Sequence, residues 1–191
     1  FLVGFLRNKR IPLHQSGFRV GGKVNSHGEV LRKFVLDHPD CAYYLFLDAD
    51  ICFLENRTID AMVAQLEEGA DLFAVSVRQT WDGKEEIPAE IRQAIYFSRL
   101  HPCCSLVKNT PLFRLVADEI GLTGVTYQLG QGDKYLDTFE LMTKVMKTHG
   151  LRHAISPKMV YHFFGVSYDP QWIEDKNQRC EKLLEAMRPQ T

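Results

Sequence analysis

Residues 42–50 read AYYLFLDAD, an unbroken apolar run that ends in two carboxylates, Asp48 and Asp50. A run of that length without polar alternation predicts a strand buried on both faces, central in a sheet. Asp48 then sits at the strand's carboxyl end, on the side where open α/β sheets bind ligands. Two carboxylates one residue apart at such an edge repel each other unless something positive lies between them. A hard divalent cation does this, because it prefers oxygen ligands and keeps positions free for water and phosphate oxygens. The plainer alternative is that Asp48 caps the following turn and Asp50 is solvated.

Outward from this strand, helix and strand signals alternate. Upstream, Ser26 and Glu29 have the spacing of a capping box. Val30, Leu31, Phe34 and Val35 recur at helical spacing, and Pro39 ends the helix. Residues 1–6 read as a short buried strand, 8–17 as a loop and 18–24 as a strand. Downstream, Thr58 caps a helix that closes at Gly69, and DLFAVSV is the next strand. A polar loop, QTWDGKEEIP, leads to a helix over 89–98, then the short strand CCSLV and a helix with Pro111 in its first turn. Residues 121–135 are glycine-rich and irregular. A helix begins at Asp137 or Thr138 and runs to His149, MVYHFFG is the last strand, and a charged helix over about 170–187 finishes the chain. The alternation predicts one α/β layered domain over 1–191, with a mostly parallel sheet and a C-terminal helix within 170–191.

Composition narrows the function classes. The 191 residues carry 23 Lys and Arg against 24 Asp and Glu. A balance so near neutrality leaves no electrostatic footprint for nucleic acid or anionic membrane, so an anionic ligand must be held by a local site or a metal. The five cysteines lack zinc-site spacing, and most of them read as buried thiols of a reducing compartment. No apolar run approaches the roughly 20 residues of a membrane span. The expected location is cytoplasmic, with a membrane-peripheral position left open. The chain opens with Phe1 rather than Met, and a processed or partial chain is expected.

Several side chains suit phosphate and sugar chemistry. His27 and Gly28 begin a helix whose free N–H groups can meet an anion, with Asn25 just before them. Capping by Ser26 is the bland alternative. Lys108 and Asn109 follow the CCSLV strand and are within reach of phosphate or hydroxyls, unless Lys108 is simply solvated. Trp81 and Asp82, in the polar loop, are candidates for an acceptor site, since Trp stacks on sugar rings. His162, inside VYHFF, is either a satisfied core histidine or a third ligand beside the carboxylates.

At this point the pattern resembles the GT-A glycosyltransferases, in particular family-2-like enzymes. YYLFLDADICFL resembles their apolar strand ending in the DxD motif, and VNSHGEVL the stretch that opens the helix before it. LHPCCSLVKNTPLFR resembles the strand and turn lining donor and acceptor. LDTFELMTKVMKTHG resembles the acidic residue and helix that supply the base of inverting members. VYHFFGVS resembles the late strand whose histidine helps hold metal and diphosphate. The ordered set spans about residues 20–168.

The resemblance implies a three-layer α/β/α domain that uses Mn²⁺ or Mg²⁺ and a nucleotide-sugar donor, with a saccharide, lipid or protein hydroxyl as acceptor. It implies Asp50 as direct metal ligand, Asp48 as ligand through water or as ribose contact, and His162 as ligand or diphosphate contact. Asp137 becomes the base that deprotonates the acceptor, with Glu140 one turn later in reserve. Two departures stand out. The first βαβ unit, which grips base and ribose, is reduced or absent ahead of the matched region. Leu136-Asp137 also stands where Glu-Asp is common.

Two other functions compete. The chain also resembles haloacid-dehalogenase-like phosphohydrolases, with Asp48 as nucleophile, Gly132-Asp133 to Asp137 as a GDxxxD motif, and Ser76 and Lys108 between them. The third is a non-catalytic transferase fold serving as a binding module.

Overall fold

The computed structural model describes residues 4, 7–13, 26–80, 93–129, 132–163 and 173–186. Helix α1 spans Ser26–Asp37, strand β1 Tyr43–Leu47, β2 Ile51–Phe53, α2 Thr58–Glu68 and β3 Leu72–Thr80. A π-helical turn, Gln93–Ser98, leads to β4 Cys104–Lys108, α3 Pro111–Glu119, β5 Val125–Leu129 and β6 Gly132–Leu136. Helix α4 Glu140–Thr148, β7 Arg152–His162 and α5 Ile173–Ala186 complete the order.

A local signal accounts for the start of α3. Thr110 accepts the Phe113 N–H at 3.1 Å with Pro111 in the first turn, so α3 begins where its cap and proline dictate. Thr58, expected as the cap of α2, is instead its first helical residue, and it donates its hydroxyl back to Glu55 O at 2.8 Å. Glu29 of the expected capping box instead accepts the Thr123 hydroxyl at 2.7 Å. Gly4, Arg7 and Asn8 are helical, where a strand over 1–6 is expected from the apolar pattern. The strand expected over 18–24 lies outside the described residues.

Five strands form a sheet in the order β1-β4-β3-β7-β2. The expected mostly parallel sheet is not what forms. β3 pairs with β7 in parallel, whereas β1–β4, β3–β4 and β2–β7 are antiparallel. The fold is therefore mixed α/β. Strands β1, β3 and β7 run in one direction, β4 is inserted against them between β1 and β3, and β2 folds back along β7. β1, expected in the centre, stands at one end of the described strands. Alternating helices and strands predict parallel pairing only when each connection crosses over the sheet, and β4 pairs antiparallel to β3. A second departure is the stretch 121–135, where β5 and β6 pair as a separate antiparallel ribbon, Val125 opposite Leu136.

Side-chain alternation separates two cores. Tyr44 and Phe46 of β1, Ala74 of β3 and Val107 of β4 pack with Val35 of α1, Phe113 of α3 and Met142 and Met146 of α4. Val75, Val77 and Leu106 pack with Met62 and Leu66 of α2, joined by Tyr43 and Leu45. Tyr44 and Phe46 of β1 enter one core and Tyr43 and Leu45 the other, so helices cover both faces of the sheet. Among the described residues no helix is long and apolar enough to cross a membrane.

Candidate metal centre

The directions of the strands bring one set of termini together. The carboxyl ends of β1, β3 and β7 meet the amino ends of β2 and β4 at a single margin of the sheet. Leu47 is paired with Cys104, and Asp48 donates its N–H to Cys103 O at 2.8 Å, which pins the residue after β1. The chain then turns through Asp50 into β2, where Ile51 pairs with His162 and Phe163 donates its N–H to Asp50 O at 2.8 Å. These pairings place Asp50 beside the last residue of β7.

Asp48, Asp50 and His162 each offer a ligand atom, and these atoms lie within 4.8 Å of one another. Donors on opposite sides of a divalent ion with bonds of about 2.0–2.6 Å stand roughly 4–5 Å apart, so the spacing fits one cation. Asp50 Oδ1 is 3.4 Å from His162 Nε2. His162 is buried, while its Nδ1 lies 2.8 Å from Gln79 Oε1. A carboxamide oxygen only accepts, so Nδ1 donates to it, and Nε2 is the ring nitrogen that faces Asp50. A carboxylate oxygen and an imidazole nitrogen face each other across that gap, an arrangement that a cation or a proton can bridge. Burial pushes the Asp48 carboxyl above its ordinary value, and the Asp50 charge pushes the same way, while His27, His162 and Arg99 pull it back.

His27, near the start of α1, brings Nε2 to 3.9 Å from Asp48 Oδ1 and is part of this margin. Gly28, beside it, serves packing. A Cβ there would stand 2.2 Å from Thr123 Cα and 2.6 Å from the Leu122 carbonyl carbon, so α1 meets the 122–123 backbone with no side chain between. Lys108 is not brought to the site. Because β4 is reversed, Lys108 pairs with Tyr43 at the amino end of β1, roughly 15 Å along the strand from Asp48, and its Nζ lies 3.9 Å from Glu67. Asn109 closes the loop before β1, donating to Pro39 O at 2.7 Å and accepting from Arg114 at 2.6 Å. Asn25, Trp81 and Asp82 lie outside the described residues.

Asp137 precedes α4 and is fully engaged. Oδ2 pairs with Arg99 at 2.7 Å, and Oδ1 accepts the Thr138 N–H at 2.7 Å and the Tyr135 hydroxyl at 3.3 Å. Glu140 accepts the Asp137 N–H at 3.1 Å and Lys144 at 2.9 Å. Burial raises its carboxyl, but these partners outweigh burial and hold it below the ordinary value. The pair thus forms a reciprocal brace at the start of α4.

Three contributors escape sequence reasoning. Gln79 is a buried amide at the end of an apolar strand. Arg99 donates to Thr138 O as well as to Asp137, and its charge also reaches Asp48 and His101. His101 accepts the Cys103 N–H through Nδ1 at 3.3 Å, its ring 6.2 Å from that of His162. Burial, with Arg99, His162 and His27 adding to it, holds His101 well below the ordinary histidine value and therefore neutral. Only Gln79 left a signal in the chain, as a polar residue in DLFAVSVRQT. Of the residues the phosphohydrolase resemblance implies, Ser76 is buried mid-strand opposite Ser105, and Lys108 is at the far margin.

No protein-family model matches this sequence, and a search of curated proteins finds no match.

Proposed function

We propose that this chain is the catalytic part of a metal-dependent glycosyltransferase of the GT-A type, moving a sugar from a nucleotide-diphosphate donor to an acceptor hydroxyl with inversion. The observation that carries the reading is the convergence of Asp48, Asp50 and His162 within 4.8 Å at the carboxyl ends of co-directional strands. In this reading these three residues hold Mn²⁺ or Mg²⁺, which would act as a Lewis acid toward the departing phosphate oxygen. The amino end of α1, with His27 beside Asp48, supports the same reading, because its N–H groups and dipole favour an anion.

Asp137 is the acceptor's base here. It takes the hydroxyl proton as that oxygen attacks the anomeric carbon and the nucleoside diphosphate leaves. To do so it gives up its pairing with Arg99, whose charge turns to the phosphates. Full engagement of both Asp137 oxygens favours one rival, a module that binds a nucleoside diphosphate without transferring sugar.

Calorimetry with Mn²⁺, followed by nucleoside diphosphates, tests the assignment. Binding of the nucleotide only in the presence of Mn²⁺, lost in Asp50→Ala, supports it. Nucleotide binding that ignores the ion, or hydrolysis of an aryl phosphate, sinks it. Sugar transfer from a donor panel, lost in Asp137→Asn, separates enzyme from binding module.

A further inference from the structure

The amide of Gln79 stands behind His162, one step removed from the carboxylates. Gln79 is 1 % exposed and His162 5 %, and the Oε1 to Nδ1 contact is 2.8 Å. The backbone around Gln79 is over-determined. Its N–H donates to the Tyr96 hydroxyl at 2.7 Å and that hydroxyl donates to its carbonyl at 3.3 Å. Gln79 also pairs with Val160 of β7, in a register set by a shift after Val77: Val77 faces Ser156, and Arg78 faces Met159. Pro157, with no N–H to offer a ladder, lies in the skipped segment. That shift carries His162 to the end of β3.

The cost of this arrangement is visible. Gln79 Nε2 is buried and has no hydrogen-bond partner among the described residues. A side chain needed only to fill space would be apolar, since a buried amide with an unused donor is unfavourable. Across the ring, Nε2 of His162 is 3.4 Å from Asp50 Oδ1, longer than an ordinary N–H···O bond. The separation suits two acceptors that share a cation rather than a donor and its acceptor.

We propose that Gln79 is a positioning residue of the cation site: its carboxamide oxygen locks His162 with the hydrogen on Nδ1 and the Nε2 lone pair turned to the ion. The proposal rests on the divalent-cation reading above and adds to it the residue that decides whether the imidazole is a ligand at all. Such outer partners fix ring orientation and tautomer, and losing them typically weakens metal binding about 10–100-fold.

Two measurements test this. In metal-free protein labelled with ¹⁵N-histidine, His162 should show the Nδ1–H tautomer; an Nε2–H tautomer overturns the proposal without need of any variant. Calorimetric titration with Mn²⁺ should give a Kd about 10–100-fold weaker for Gln79→Met and near wild type for Gln79→Glu, which keeps an acceptor. In a His162→Ala background, Gln79→Met should change nothing further, whereas a general packing defect would still add its own loss. Wild-type affinity in Gln79→Met overturns the proposal while leaving the cation site intact. A wild-type protein that shows the expected tautomer but takes up no Mn²⁺ overturns the cation reading, and the ligand role with it.

Discussion

Phe163 donates its backbone N–H to the carbonyl of Asp50 at 2.8 Å, so the loop after β1 is stitched to the end of β7. That bond, next to the pairing of Ile51 with His162, fixes the distance between a carboxylate and an imidazole from opposite ends of the described sheet sequence. Charge, hydration and ligand geometry at this margin then depend on backbone pairing rather than on flexible side chains.

Removing the Asp48 charge should stabilise the metal-free protein. Its carboxyl is held above the ordinary value of 3.8, chiefly by burial. A carboxyl raised in the folded state contributes stability that is full below 3.8 and lost as pH rises through its folded value, so at neutral pH the charge is a net cost. Asp48→Asn should therefore melt higher than wild type in chelator at pH 7. Wild type should gain about 2.7 kcal/mol at Mn²⁺ concentrations near 100 Kd, and the variant should gain none. A variant that melts lower in chelator and still responds to Mn²⁺ contradicts the assignment.

Gly28→Ala should destabilise the fold. The added methyl would meet backbone atoms of Leu122 and Thr123 from 2.2 Å, and backbone cannot swing aside. Overpacking of this kind costs about 1–3 kcal/mol, read as a lower urea midpoint at unchanged slope. An unchanged midpoint would mean that α1 does not sit against that turn.

Lys108→Ala should leave Mn²⁺ and nucleotide affinities as they are. Its ammonium lies beside Glu67 at the far margin, at 3.9 Å, and a partly exposed pair of this kind contributes about 0–1 kcal/mol. A tenfold loss of nucleotide affinity would return Lys108 to the site.

Acidification should weaken the fold from pH 6.5 downward. His101 and His153 are both held below the ordinary value of 6.5, each chiefly by burial. A histidine depressed in the folded state contributes stability present above 6.5 and lost as pH falls toward its folded value, because the unfolded chain takes the proton first. Asp48 works in the opposite sense, since its protonation on acidification relieves a cost. Urea midpoints in chelator should fall between pH 7.5 and 5.5, and less so in His153→Gln. A midpoint that is flat over that range would show the imidazoles to be accessible in the folded chain.

Particular residues mark how far the sequence can be read. AYYLFLDAD forms β1 with Asp48 just beyond its end, as its unbroken apolar run predicts, and Thr110 with Pro111 starts α3 as capping chemistry requires. The helical spacing of Val30, Leu31, Phe34 and Val35 is matched by α1, with Val35 in the core. Lys108 misleads because a strand's direction is not written in its own residues. CSLVK has the same period whether it runs with β1 or against it, yet the choice sends its lysine to opposite margins. Arg99, His101 and Gln79 carry no motif at all, being single polar residues in separate segments.

The sequence by itself determined where α1, β1, α2 and α3 form, and that two carboxylates end an apolar strand, because hydrophobic period, caps and prolines act within a few residues of one another. Only the tertiary structure decided that β4 runs backward, that β5 and β6 form a separate ribbon, and that His162 faces Asp50 with Gln79 behind it. Those outcomes depend on pairing between distant segments, where register and burial of whole faces settle the geometry and no local pattern reports the partner.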